Sequence, residues 1–251
     1  MIKKLILAFL MSIFLSACTY SGSDMDSEQS ARAADINARL GVGYLRQGKY
    51  DIAKEKLEKA LSQDPNNADI YHYLAELYRR VDEPELAEGY YQRALDYNEN
   101  DSALMNNYSV FLCGQKKYKE ANKYFNKVMK DPVYQRKDLV YENMGLCAKS
   151  QGNLFLAEKH LNKALAMNPR LPNTILNLAQ ISFDKQQLKQ ADFHFKRYVK
   201  MAQHTPQSLW LGYLLEKQIG NKNQAVSYAT LLKGKFPDSR ETKLLRKLEA
   251  K

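Results

Sequence analysis

The chain of 251 residues is poor in the groups that carry chemistry. Its four histidines are His72, His160, His194 and His204, and none has a second His or Cys at ligand spacing, which argues against zinc and other metals. There is no phosphate-cradling glycine loop, no GxSxG elbow and no carboxylate pair isolated in an apolar frame. His194 sits in "FHF", the setting of a half-buried helix histidine rather than of a base. The reading is a non-enzyme with no small-molecule substrate and no cofactor beyond a covalent lipid. Arginine–aromatic clusters are also missing. The formal charge of +10 invites a nucleic-acid reading, but the lysines are scattered over helix faces, often beside glutamate as in "AKEKLEK", and that scatter speaks against it. A solvated basic surface accounts for the charge; the other reading is attraction to an acidic partner or anionic head groups. Long apolar runs are scarce too. Leu5–Leu15 is too short to span a bilayer as a helix.

What the chain has instead is repetition. Residues 55–67 read "EKLEKALSQDPNN" and residues 158–170 read "EKHLNKALAMNPR". Blocks of 34 residues beginning at Ala34 align Tyr44, Ala53, Leu57 and Ala60 with Tyr78, Ala87, Tyr91 and Ala94 and, in a fourth block that starts two residues late at Asp138, with Ala157, Leu161 and Ala164. Each block holds two amphipathic runs with apolar residues three and four apart, separated by a turn near position 15 that often carries glycine. Small residues at positions 8, 20 and 27 let helices approach, and bulky ones at 4, 7, 11 and 24 fill the gap. Six of the seven prolines fall at block junctions, where a residue without a backbone donor ends the second helix. This resembles the tetratricopeptide repeat. The expected fold is all-α, a right-handed superhelical solenoid of six repeats (34–67, 68–101, 102–137, 138–171, 172–205 and 206–239) with a capping helix at 240–251.

The first 33 residues lie outside that pattern. Lys3 and Lys4 precede the apolar run, as in a secretory signal peptide, expected at 1–17. "LSAC", ending at Cys18, resembles the bacterial lipobox, whose cysteine is lipidated and becomes the first residue. Thr19, in place of the aspartate of lipoproteins kept at the inner membrane, implies outer-membrane anchoring with the repeats in the periplasm. Loss of Lys3 and Lys4 would take the formal charge from +10 to +8. Residues 18–33, rich in Ser, Asp and Gly, read as a flexible lipidated tether of about 20 Å mean reach.

Cys113 and Cys147 fall in the first helices of successive blocks, at positions 12 and 10. In an oxidising compartment they bridge, or else they are two small buried apolar residues; the unequal positions leave both readings open. Positions 2, 5, 6, 9, 12 and 13 of first helices should face the concave side. Asn107, Asn143 and Asn177 share position 6, beside Val110, Leu146 and Phe183. An apolar stripe flanked by amides suits a peptide partner. Alternatively, these asparagines bond neighbouring blocks.

Block 3 carries "NNYSVFLCGQKKYKEANKYF", followed by "DPVYQ" and, in block 4, "YENMGLCAKSQGN". With the lipobox and six repeats, these strings resemble the outer-membrane lipoproteins of type IV pilus biogenesis, the PilF/PilW family. Ser109, where the family often has Gly, and Glu99, in place of a junction proline, depart from it. The resemblance implies a pilotin: an adaptor whose partner is the outer-membrane secretin subunit, held at the membrane by its lipid, that promotes secretin localisation and ring assembly. The competing reading is a repeat lipoprotein serving another envelope assembly machine.

Overall fold

A computed structural model of the chain describes residues 22–250. Among these are thirteen α-helices and no strand. The described residues divide into two compact units, with the boundary between Tyr108 and Ser109. The first unit holds α1 (Gly22–Arg46), α2 (Tyr50–Gln63), α3 (Ala68–Arg80), α4 (Pro84–Tyr97) and the first half of α5 (Ser102–Gly114). The second holds the rest of α5, then α6 (Tyr118–Lys130), α7 (Lys137–Ser150), α8 (Leu154–Met167), α9 (Pro172–Asp184), α10 (Leu188–Val199), α11 (Pro206–Ile219), α12 (Lys222–Lys235) and α13 (Arg240–Glu249).

Helices pair in sequence order. The closest packing is within α1–α2 and α3–α4 in the first unit, and within α7–α8, α9–α10 and α11–α12 in the second. Each second helix buries at least three positions on its inner face. These include Ala53, Leu57 and Ala60; Ala87, Tyr91 and Ala94; Ala121, Phe125 and Val128; Ala157, Leu161 and Ala164; Ala191, Phe195 and Tyr198; and Ala225, Ala229 and Leu232. A small residue opposite a large one lets the paired backbones approach. Gly145 shows how closely: a Cβ there would lie 2.7 Å from Leu161 Cδ2 and 3.2 Å from the Ala157 carbonyl oxygen.

Each hairpin turn contains one residue of left-handed backbone: Gly48, Asp82, Lys116, Gly152, Gln186 and Gly220. That conformation reverses the chain within a few residues and lets the last carbonyls of the first helix be met. Lys117 N–H, for example, donates to the Leu112 carbonyl at 2.9 Å. Starts are capped where the sequence allows. Asp101 Oδ1 accepts from Ala103 N and Leu104 N at 2.8 and 3.0 Å, and Thr205 and Ser208 form a reciprocal capping box on α11.

One expectation needs correction. The tether expected at 18–33 is helical from Gly22 onward, so α1 is 25 residues long and starts upstream of residue 34. The stretch is polar, but after Gly22 it contains neither Gly nor Pro until Gly41, and Ala31, Ala33, Ala34 and Ala38 favour helix. Once Ala34 and Ala38 are buried in the first hairpin, the helix propagates backwards at little cost. Ser30 Oγ also donates to the Gln63 carbonyl at 2.8 Å, and Asn37 Nδ2 to Gln63 Oε1 at 2.8 Å. The signal peptide expected at 1–17, Cys18 and the remainder of the expected tether lie outside the described residues.

Candidate functional site

In the second unit, Cys113 near the end of α5 and Cys147 in α7 form a disulfide, with Cα atoms 5.7 Å apart. Position 12 of one repeat thus meets position 10 of the next. Cys113 Sγ lies 3.5 Å from Ser150 Oγ, which donates to the Cys147 carbonyl at 2.8 Å. Around the bridge, Val110, Asn143, Leu146, Tyr118 and Ser150 line a pocket of ≈ 310 Å³. Val110 remains 39 % exposed, so the stripe offers apolar surface to solvent.

A larger groove of ≈ 820 Å³ lies in the same unit, lined from α7, α9, α10, α11 and α13. Leu176, Trp210, Leu211 and Leu244 supply its apolar surface, and Asn173, Asn177, Gln180 and Gln207 its amides. A directed chain of hydrogen bonds fixes one wall. Lys149 Nζ donates to Asn177 Oδ1 at 2.8 Å. Asn177 Nδ2 donates to the Asn173 carbonyl at 2.9 Å and to Asn173 Oδ1 at 3.1 Å, and Asn173 Nδ2 donates to Glu142 Oε1 at 2.9 Å. Burial holds the Lys149 pKa below the ordinary lysine value, partly opposed by the Asp184 carboxylate.

The expected row is therefore divided among different surroundings. Val110, Asn143 and Leu146 line the pocket beside the disulfide, and Asn177 lines the larger groove. Asn107 belongs to the first unit, where its Nδ2 lies 3.0 Å from His72 Nε2 and joins α5 to α3. Phe183 departs from the expected stripe: it packs, half-buried, against the core cluster around Phe195, Leu209 and Leu215. Position 12 lies at the border between the concave face and the helix interface, and the long apolar ring turns inward. Lys149 and Trp210, which line the groove, sit at concave positions 12 and 5 of their blocks, so the spacing already contained them.

The first unit has its own polar centre. Glu76 accepts from Arg79 Nη2 at 2.7 Å and from the Tyr91 hydroxyl. Burial works to raise the Glu76 pKa, but these two donors outweigh it and hold it below the usual carboxylate range. The Tyr91 hydroxyl is pushed up by burial and by the adjacent carboxylate. Tyr73 lines a groove of ≈ 470 Å³ with Val42 and Arg46, while Tyr71 stacks on Tyr97 elsewhere in the unit, ring centroids 5.3 Å apart. These groups form a structural network: Glu76, Arg79 and Tyr91 satisfy one another. Among the described residues no three or more His, Cys, Asp or Glu gather as a metal site.

Paired helices, close-packed small residues and side-chain-lined grooves define a scaffold that presents surface to other chains. Residues 44–104 and 208–239 match family models of the tetratricopeptide repeat, and the protein is of that class. The type IV pilus assembly protein PilF of Pseudomonas aeruginosa is 31% identical over 238 residues, covering 94% of each chain. An uncharacterised Haemophilus influenzae protein is 31% identical over 162 residues, 64% of this chain and 89% of its own. The solved structure of P. aeruginosa PilF matches with a TM-score of 0.74 over 88% of this chain and 99% of that one, at 30% identity. That of PilW, described as a widely conserved type IV pilus biogenesis factor, matches with a TM-score of 0.76 over 84% and 97%, at 31% identity. The chain belongs to the PilF/PilW family.

Proposed function

We propose that the protein is a non-enzymatic adaptor of type IV pilus biogenesis: an outer-membrane lipoprotein, anchored through lipid on Cys18, that promotes localisation and multimerisation of the secretin. The observation that carries this reading is the reach of the similarity to PilF. It covers 94% of both chains, so the common ground is the whole arrangement of repeats rather than a generic repeat or two. The grooves of the second unit support an adaptor role: the larger offers apolar area edged by amides that can satisfy a partner's backbone, and the smaller sets Val110 and Leu146 beside Asn143. The lipid gives the adaptor its place: each buried CH₂ contributes roughly 0.8 kcal/mol, so two or more acyl chains hold the protein on the membrane.

The test is deletion of the gene with restoration of the intact or altered chain. Without it, cells should lose surface pili and twitching motility, and the secretin should run as monomers rather than as a stable multimer. The intact chain should restore both. Cys18→Ala should leave uncleaved precursor, or protein released from outer-membrane fractions, with secretin assembly reduced. Normal piliation and normal secretin multimers in the deletion strain would remove the reading and leave service to another envelope machine in its place.

A further inference from the structure

In the lining of the ≈ 820 Å³ groove, cations outnumber carboxylates. Two cationic side chains line it, Lys149 from α7 and Arg240 from the start of α13, against a single lining carboxylate, Glu241. Lys149 gives a hydrogen bond to the neutral Asn177 oxygen, and among the described residues neither Lys149 nor Arg240 pairs with a carboxylate. Elsewhere the chain does make such pairs. Lys185 meets Glu158 at 2.7 Å and Lys233 meets Glu249 at 3.0 Å. The Asn177–Asn173–Glu142 chain holds the acceptor of Lys149 in place, so the ammonium is positioned rather than left to wander. Beside it, Leu176, Trp210 and Leu244 present apolar surface to the same groove.

We infer that this groove docks a partner segment carrying Asp or Glu side chains next to a large apolar side chain, with Lys149 as its anchor. A carboxylate brought to Lys149 replaces a neutral acceptor by a charged one in a partly desolvated site, the setting in which such bonds are strongest. The neighbouring apolar side chain covers Trp210 and Leu176, and the groove amides are within the chemistry needed to bond the segment's backbone. The inference rests on the reading of the protein as an adaptor and names the chemistry of the segment it holds.

Trp210 is the chain's only tryptophan and lines the groove, so its emission reports occupancy there. The full chain is titrated with the pentapeptide acetyl-Leu-Glu-Phe-Glu-Leu-amide and with a counterpart in which glutamine replaces both glutamates. The glutamate peptide should change Trp210 emission saturably, and the glutamine peptide should bind at least about tenfold more weakly, the loss expected for a hydrogen bond to a charged group. Lys149→Met keeps the aliphatic stem and should abolish the preference, whereas Lys149→Arg should retain most of it; circular dichroism melts check the fold of both. Equal binding of the two peptides by the unaltered chain overturns the inference, and so does a preference that survives Lys149→Met. Silence of Trp210 with both peptides overturns it as well. A third peptide, with glutamines and a free carboxyl end, binding alone would show a reader of chain ends and sink the side-chain version. Secretin capture by the same preparations separates the two levels. Capture without peptide binding removes this groove and leaves the adaptor role, and peptide binding without any secretin capture removes the role.

Discussion

At the scale of single residues, the six left-handed turn positions are chemically unequal although geometrically alike. Gly48, Gly152 and Gly220 accept φ of 73°, 84° and 96° without penalty, while Lys116 and Gln186 are held at 61° and 60° with a Cβ present. The left-handed region costs an ordinary side chain about 1–2 kcal/mol, of which glycine returns part through its freer unfolded state. Gln186→Gly should therefore raise stability by about 0.5–1 kcal/mol, read as a higher melting temperature; no gain would mean that Gln186 contacts outweigh its strain. The repeat spacing marks where the turns fall, and glycine marks half of them. It cannot mark Asp82, Lys116 and Gln186, because a turn imposed by packing on both sides overrides the preference of the residue inside it.

At the scale of helices, the disulfide joins α5 to α7 across two successive hairpins. It closes a loop of 34 residues, for which the chain-entropy estimate is roughly 3–4 kcal/mol of stabilisation. Cys147→Ala, or reduction, should lower the unfolding midpoint by a corresponding amount, and peptide maps before and after reduction should differ by one linked pair containing Cys113 and Cys147. Free thiols at both positions in protein purified without reductant would contradict the bond. Helix identity and order were largely readable from the 34-residue pattern, because small and large residues recur at positions 8, 20, 24 and 27. The groove was readable only in part. Concave positions 5, 6, 9 and 12 do place Leu176, Asn177, Gln180 and Lys149 on its wall, yet Asn107 is drawn to His72 and Phe183 to the core. Such choices depend on which neighbour lies across the interface, and a single block's spacing does not contain that neighbour.

For the whole molecule, the histidines share one response. Burial lowers the pKa of His72, His160, His194 and His204 below the ordinary value of 6.5, with nearby lysines and Arg197 adding to it at the last three. A histidine with a depressed folded pKa stays neutral in the fold while its unfolded counterpart takes up a proton. Stability is then fully present above about pH 6.5 and is lost as pH falls from there toward the folded values. Melting temperature should drop between about pH 7.5 and pH 5.5, before the carboxylates of Glu76 and Asp138, themselves held below the usual range, begin to protonate. A flat profile over that interval would show that the four rings titrate as they do in the unfolded chain. The net positive charge acts in the same direction, since acidification adds protons to a chain already at +10.

The upstream part of α1 changes what an anchor at Cys18 could do. A flexible leash sets only how far a body can stray; a helix also sets which way it faces. From residue 22 to residue 33 the helix advances about 18 Å at 1.5 Å per residue, and from Ser27 onward most of its side chains face solvent. It is a boom more than a leash. Inserting one residue in this stretch turns everything beyond it by about 100° while moving it only about 1.5 Å. If orientation matters to secretin assembly, activity in an insertion series should rise and fall with the helical turn, recovering near four and seven inserted residues. A steady response to length would return the segment to the role of a spacer.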